Sequence, residues 1–123
     1  MTIKECYDFM GGNYEDVIHR LMNDKIVVKF AIKFLSDPSY DQLVEALKVE
    51  DYETAFRASH TIKGVCKNLG FARLSKSSDA LTEALRGGKN QDTTELEKQV
   101  MEDYELTVKA VHLMEETEVA KSL

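Results

Sequence analysis

Phe56-Arg57-Ala58-Ser59-His60-Thr61-Ile62-Lys63-Gly64-Val65-Cys66-Lys67-Asn68-Leu69-Gly70 reads as one helix with two unlike sides. At about 100° per residue, Ala55, Ala58, Ile62, Val65, Cys66 and Leu69 gather into a core-facing stripe. His60 projects from the opposite side. Lys63 and Gly64 follow it by three and four residues, so both are its neighbours on the helix surface, and Lys67 lies a further turn along. Glycine inside a helix costs about 1 kcal/mol relative to alanine, and the packing stripe has no use for it here. Space for something to approach the imidazole is the simplest reason for it. The other histidines, His19 and His112, have no Lys at i+3 with Gly at i+4.

Upstream, helical spacing predicts short helices over Thr2–Met10, Tyr14–Met22 and Lys25–Leu35. Gly11-Gly12 stops the first, and Asn13 and Asn23 cap the other two. Ile26-Val27-Val28 has the composition of a strand. The preceding Asn-Asp and the lysines at 25, 29 and 33 favour a helix instead. Pro38 ends this region, and Ser39 with Gln42 forms a capping box for a helix from Tyr40 to about Val49. Asp51 then caps the His60 helix.

Downstream, Gly70 fits the position past a helix end where positive φ is wanted. Phe71 to Arg86 forms the next helix, with Leu74, Ser77 or Ser78, Leu81 and Leu85 inward; the small serines allow a neighbour to pass close. Gly87-Gly88 gives the short connection that antiparallel helices need. Asp92 and Glu95 form a second capping box. A last helix runs to about Thr117 with Leu96, Val100, Tyr104, Val108, Val111 and Met114 on one stripe. The expected architecture is all-α: an up-and-down four-helix bundle with additional short N-terminal helices. It forms one domain over 1–123, with N-terminal helices over 1–38 and the remaining helices, including the C-terminal hairpin, over 39–119.

A chain of 123 residues can bury one real core, and a single Pro with six Gly leaves few breaks in long helices. The net charge of −6 disfavours nucleic acid or an anionic membrane as the main partner, since both want a basic face. No apolar run reaches the roughly 20 residues that cross a bilayer. Cys6 and Cys66 stand far apart in no metal or redox spacing, and the N-terminus does not read as a signal peptide. The expectation is a cytoplasmic protein with no metal and no intrinsic cofactor. Nothing calls for more than a monomer. No Ser or Cys nucleophile pairs with a base, and no Gly-rich phosphate loop is present.

His60-Thr61-Ile62-Lys63-Gly64, with Gly70 ten residues after the histidine, resembles the histidine phosphotransfer (HPt) domains of multistep bacterial phosphorelays. The Phe56-Arg57-Ala58-Ser59 lead-in and the hairpin through Phe71 to Gly88 resemble that family too, so the likeness covers nearly the full chain. It implies that His60 accepts a phosphoryl group from a receiver-domain aspartyl phosphate, including that of a hybrid histidine kinase, and passes it to another response-regulator receiver. Lys63 would attract the phosphoryl oxygens and Gly64 would leave room for the receiver. Mg²⁺ would come with the receiver, and the chain would be a phosphocarrier with no kinase activity of its own. Phe56, Arg57, Lys67 and Asn68 are candidate partner-binding residues. Lys67 and Asn68 are bulkier than the small residues often found there, which bears on partner choice. Phe56 lies on the polar side, either tucked against the N-terminal helices, the preferred reading, or part of a docking patch. The alternative function is a non-catalytic helical adaptor that binds receiver domains or other helical partners, with His60 incidental; a third is a degenerate phosphotransfer fold used only for docking, against which the intact His60, Lys63 and Gly64 weigh.

Overall fold

In the computed structural model, which describes residues 1–88 and 91–123, the elements run in order: α1 (Ile3–Met10), α2 (Tyr14–Leu21), α3 (Asp24–Phe34), α4 (Ser39–Lys48), α5 (Tyr52–Leu69), α6 (Ala72–Leu85), α7 (Thr94–Glu115) and α8 (Glu118–Lys121). Among the described residues there is no strand. The fold is all-helical, and Ile26-Val27-Val28 lies inside α3. Asn23 supplies the reason locally, accepting from the Ile26 amide at 3.0 Å. The buried stripe Val27, Val28, Ala31 and Phe34 supplies it globally.

The remaining starts follow from similar local chemistry, with three departures from expectation. Asn13 accepts from the Asp16 amide, and Asp51 accepts from the Thr54 amide at 3.1 Å and the Thr54 hydroxyl at 2.6 Å. The Ser39–Gln42 capping box does not form. Ser39 is already the first helical residue, buried, and its amide donates to Asp37 Oδ1 at 2.8 Å, so Asp37 does the capping work across Pro38. The Asp92–Glu95 box does not form either. Asp92 accepts from the Thr94 amide at 2.9 Å, while the Thr93 hydroxyl donates to Glu97 at 2.6 Å. A reciprocal box does form at α1, where Thr2 Oγ1 accepts from the Glu5 amide and Glu5 Oε1 accepts from the Thr2 amide. At the other end the last long helix stops at Glu115. Thr117 then caps the single turn α8, which the expected run to Thr117 did not include.

α5 lies between α4 and α6, α6 packs on α7, and α7 also carries α1 and α3. The α5–α6 seam is made of small residues. Ala55, Ala58 and Ser59 of α5 and Ser78 and Thr82 of α6 are buried, and Ser59 meets Thr82, whose hydroxyl donates to the Ser59 Oγ at 2.9 Å. Each hydroxyl also reaches a carbonyl of its own helix, Phe56 or Ser78. Buried hydroxyls thus remain hydrogen-bonded while the two backbones approach closely. Val65 is half-buried and less central to the core stripe than its spacing suggested, whereas Ser59 is fully buried. On α7, Val100, Val111 and Met114 are buried as expected, but Leu96, Tyr104 and Val108 are only half-buried. Asp103 and Thr107 take up buried positions, with Asp103 accepting from Gln99 Nε2 at 3.0 Å.

The N-terminal helices fasten the far end of α5. The buried Tyr7 hydroxyl donates to the Leu69 carbonyl at 2.6 Å. Arg20 donates to the Lys67 and Asn68 carbonyls at 2.9 and 3.2 Å, and the Asn13 amide donates to the Gly70 carbonyl at 2.8 Å. These bonds satisfy carbonyls that a helix end leaves without intrahelical partners. Gly70 takes φ +71, and a Cβ there would stand 2.7 Å from the Asn13 carbonyl oxygen, so both conformation and space require glycine.

Candidate functional site

His60 sits near the middle of α5 on its exposed face. One turn back, the Phe56 ring lies nearly parallel to the imidazole, with centroids 6.2 Å apart and planes 16° from each other. Arg86, just past the end of α6, places its guanidinium carbon 5.1 Å from the Phe56 centroid. Phe56 therefore belongs to the α5–α6 end, beside Glu53, Leu85 and the Gly87-Gly88 turn, and not against the N-terminal helices as preferred from the sequence. The spacing put Phe56 on the polar side correctly. It did not show that the close of α6 would shelter it.

At Gly64 a side chain would meet open space, with no atom within 4 Å of an added Cβ. Lys63 reaches across to α6, where its Nζ lies 3.1 Å from Asp79 Oδ1. One turn along α6 from Asp79, Glu83 accepts from Arg86 at 2.9 and 3.0 Å. The hydrogen bond from Arg86 holds the Glu83 carboxyl below its ordinary value. Arg86's charge and then Lys63 and His60 add pulls in the same direction. The imidazole thus stands in a field of alternating charge: Lys63 and Arg86 as cations, Asp79 and Glu83 as anions.

Of the four residues expected to meet a partner, Phe56 alone is part of this cluster. Arg57 is exposed and bonded back to Glu53 at 2.9 Å. Lys67 lines a groove of about 420 Å³ with Lys63, Lys76, Asp16 and Asp79, between α5, α6 and the start of α2. Asn68 opens into a separate groove of about 390 Å³ with Val65, Phe30 and Leu21. Asp79, Glu83 and Arg86 do not stand out in the sequence. Their spacing of four and three residues does mark one face of α6, but only the packing of α6 on α5 turns that face toward His60.

Residues 36–116 match the Hpt domain family. The chain belongs to the Hpt family. The matched segment takes in α4 to α7 and the His60 cluster, and α1–α3 precede it. No curated protein and no solved structure matches the chain. Hpt domains are phosphocarrier modules of two-component signalling that interact with receiver domains, and this Hpt domain has a phosphotransfer role of that kind. Among its described residues no helix is long and apolar enough to cross a membrane.

Proposed function

We propose that His60 is the phosphoryl acceptor and that the chain carries the group between two receiver domains, one of them the receiver of a hybrid histidine kinase. The observation that carries this reading is the exposed imidazole on α5 with open space at Gly64 and a cation, Lys63, one turn away. The unprotonated nitrogen of an imidazole is a competent nucleophile.

The lone pair of that nitrogen attacks the phosphorus of the receiver's aspartyl phosphate. A P–N bond forms as the P–O bond to the aspartyl carboxyl breaks, and the carboxylate leaves with the electron pair. Transfer onward is the same exchange in reverse, with a second receiver's carboxylate attacking phosphorus and the imidazole departing. Such transfer depends on in-line placement and charge neutralisation more than on covalent help from the protein. Lys63 acts as a point charge toward the phosphoryl oxygens, and Mg²⁺ is held by the receiver's own acidic residues. Gly64 admits the receiver. Phe56, Arg57, Lys67 and Asn68, arrayed along α5 on both sides of His60, serve as receiver contacts.

In this reading the chain works as a cytoplasmic monomer and as one domain over 1–123. α4 to α7 form an up-and-down four-helix bundle, a reading supported by their packing in chain order. The test is incubation with a receiver domain that carries radiolabelled aspartyl phosphate. The expected result is a label on this chain that is lost in acid and kept in alkali. A chain that binds the receiver but takes no label would instead be the helical adaptor.

A further inference from the structure

Lys63 is already engaged. Among the ion pairs between described residues, Lys63–Asp79 is the one that joins two helices; the others link residues three or four apart along the chain. The Lys63 side chain is 26% exposed and Asp79 51%, so the cation is the better sheltered partner and its direction is set by α6. Glu83 lies one turn beyond Asp79, close enough to His60 and Lys63 to feel both charges. A phosphoryl group arriving on His60 brings close to two negative charges and three strong acceptor oxygens to this spot. It meets a lysine that a carboxylate already holds.

The geometry points to Asp79 as a positioning residue that acts through Lys63: it holds the ammonium toward α6 and competes with the phosphoryl group for it. This inference rests on His60 being the acceptor. Asp79 takes no proton and forms no bond in the exchange; the P–N bond forms and the aspartyl P–O bond breaks as described above. Its effect is on the balance between the two phosphorylated states. With Lys63 shared, phospho-His60 is less stabilised than a free lysine would make it, and the carboxylate itself repels the group. The phosphoryl group is therefore kept easy to pass on.

The experiment compares wild type, Asp79→Asn, Lys63→Ala and the double variant. Each is mixed with a receiver domain charged with radiolabelled phosphate, and the label is measured at equilibrium on receiver and on His60. Because the pair is half exposed, Asp79→Asn should raise the phospho-His60 share by about 1.5- to 5-fold at low salt. The gain should shrink as salt rises. In the Lys63→Ala background the same change should have less than half that effect, and Asp79→Glu should restore the wild-type ratio. Asp79→Ser gives the same comparison by a second substitution, and melting curves check that all variants fold. An unchanged or lowered share in Asp79→Asn, or an equal gain with and without Lys63, overturns the inference. Normal wild-type labelling with no response at 79 sinks this inference alone. A wild type that takes no label on His60 sinks the acceptor reading as well.

Discussion

His60 is exposed, and the Phe56 ring beside it also carries the Arg86 guanidinium. Replacing the imidazole by glutamine therefore removes the proposed nucleophile while leaving the core alone. His60→Gln should take no label from a charged receiver, with a melting temperature within about 3 °C of wild type, since surface changes of this kind move stability by under about 0.5 kcal/mol. A variant that still takes label would show that the nucleophile lies elsewhere, and one that fails to fold would show that His60 is needed for the structure. The polar face carrying His60, Lys63 and Gly64 is visible in the sequence because helical spacing alone fixes which residues share a side. The partners of those residues are not visible there. Asp79 is sixteen residues from Lys63, and Arg86 is thirty from Phe56, so both contacts depend on how α6 lies against α5.

At the scale of α5, the glycine within it and the one that ends it should answer to different rules. Gly64 is mid-helix with open space around it, so Gly64→Ala should be neutral or stabilising by up to about 1 kcal/mol. Gly64→Gln and Gly64→Leu should fold as well, yet transfer from the receiver should fall steeply as the side chain grows. Melting temperature and transfer rate measured together decide this; bulk that leaves transfer untouched refutes a need for access at 64. Gly70→Ala should behave in the opposite sense. A left-handed backbone and a Cβ pressed on the Asn13 carbonyl should cost at least about 2 kcal/mol, measured by denaturant unfolding. A neutral Gly70→Ala would mean that the N-terminal helices do not clamp this end of α5. The caps at Asn13, Asn23 and Asp51 and the stop at Gly70 are legible because each depends on residues three or four apart. The boxes expected at Ser39 and Asp92 fail for a physical reason. At both places an aspartate captures the amide two residues on, and the helix frame shifts. The buried Asp103 and Thr107 break the apolar stripe of α7, a pattern that hydrogen bonds within the helix, from Gln99 to Asp103 and from Thr107 to the Asp103 carbonyl, allow and hydrophobic spacing does not register.

For the whole molecule, charge couples stability to pH in a definable window. Hydrogen bonds from Thr54 hold Asp51 below its ordinary 3.8, Arg20 does the same for Asp16, and Thr2 holds Glu5 below 4.5. A depressed folded value means that the stabilisation is present above the ordinary value and lost as pH falls through the folded one. The melting temperature should therefore hold from neutral pH to about 5 and decline below about 4, a course that thermal scans by circular dichroism would follow. An increase in stability on acidification through that range would contradict these assignments. The N-terminal helices, outside the matched family segment, are tied to α5 by Tyr7, Asn13 and Arg20, so the fold presents the His60 face on a braced helix. The most direct test of the carrier role is a two-step relay. The chain is labelled by one charged receiver, separated from it, and mixed with a second, uncharged receiver and Mg²⁺ without nucleotide. The account predicts that label leaves His60 and appears on the second receiver's aspartate. Label that stays on the chain, or is released only as free phosphate with every receiver offered, would contradict it.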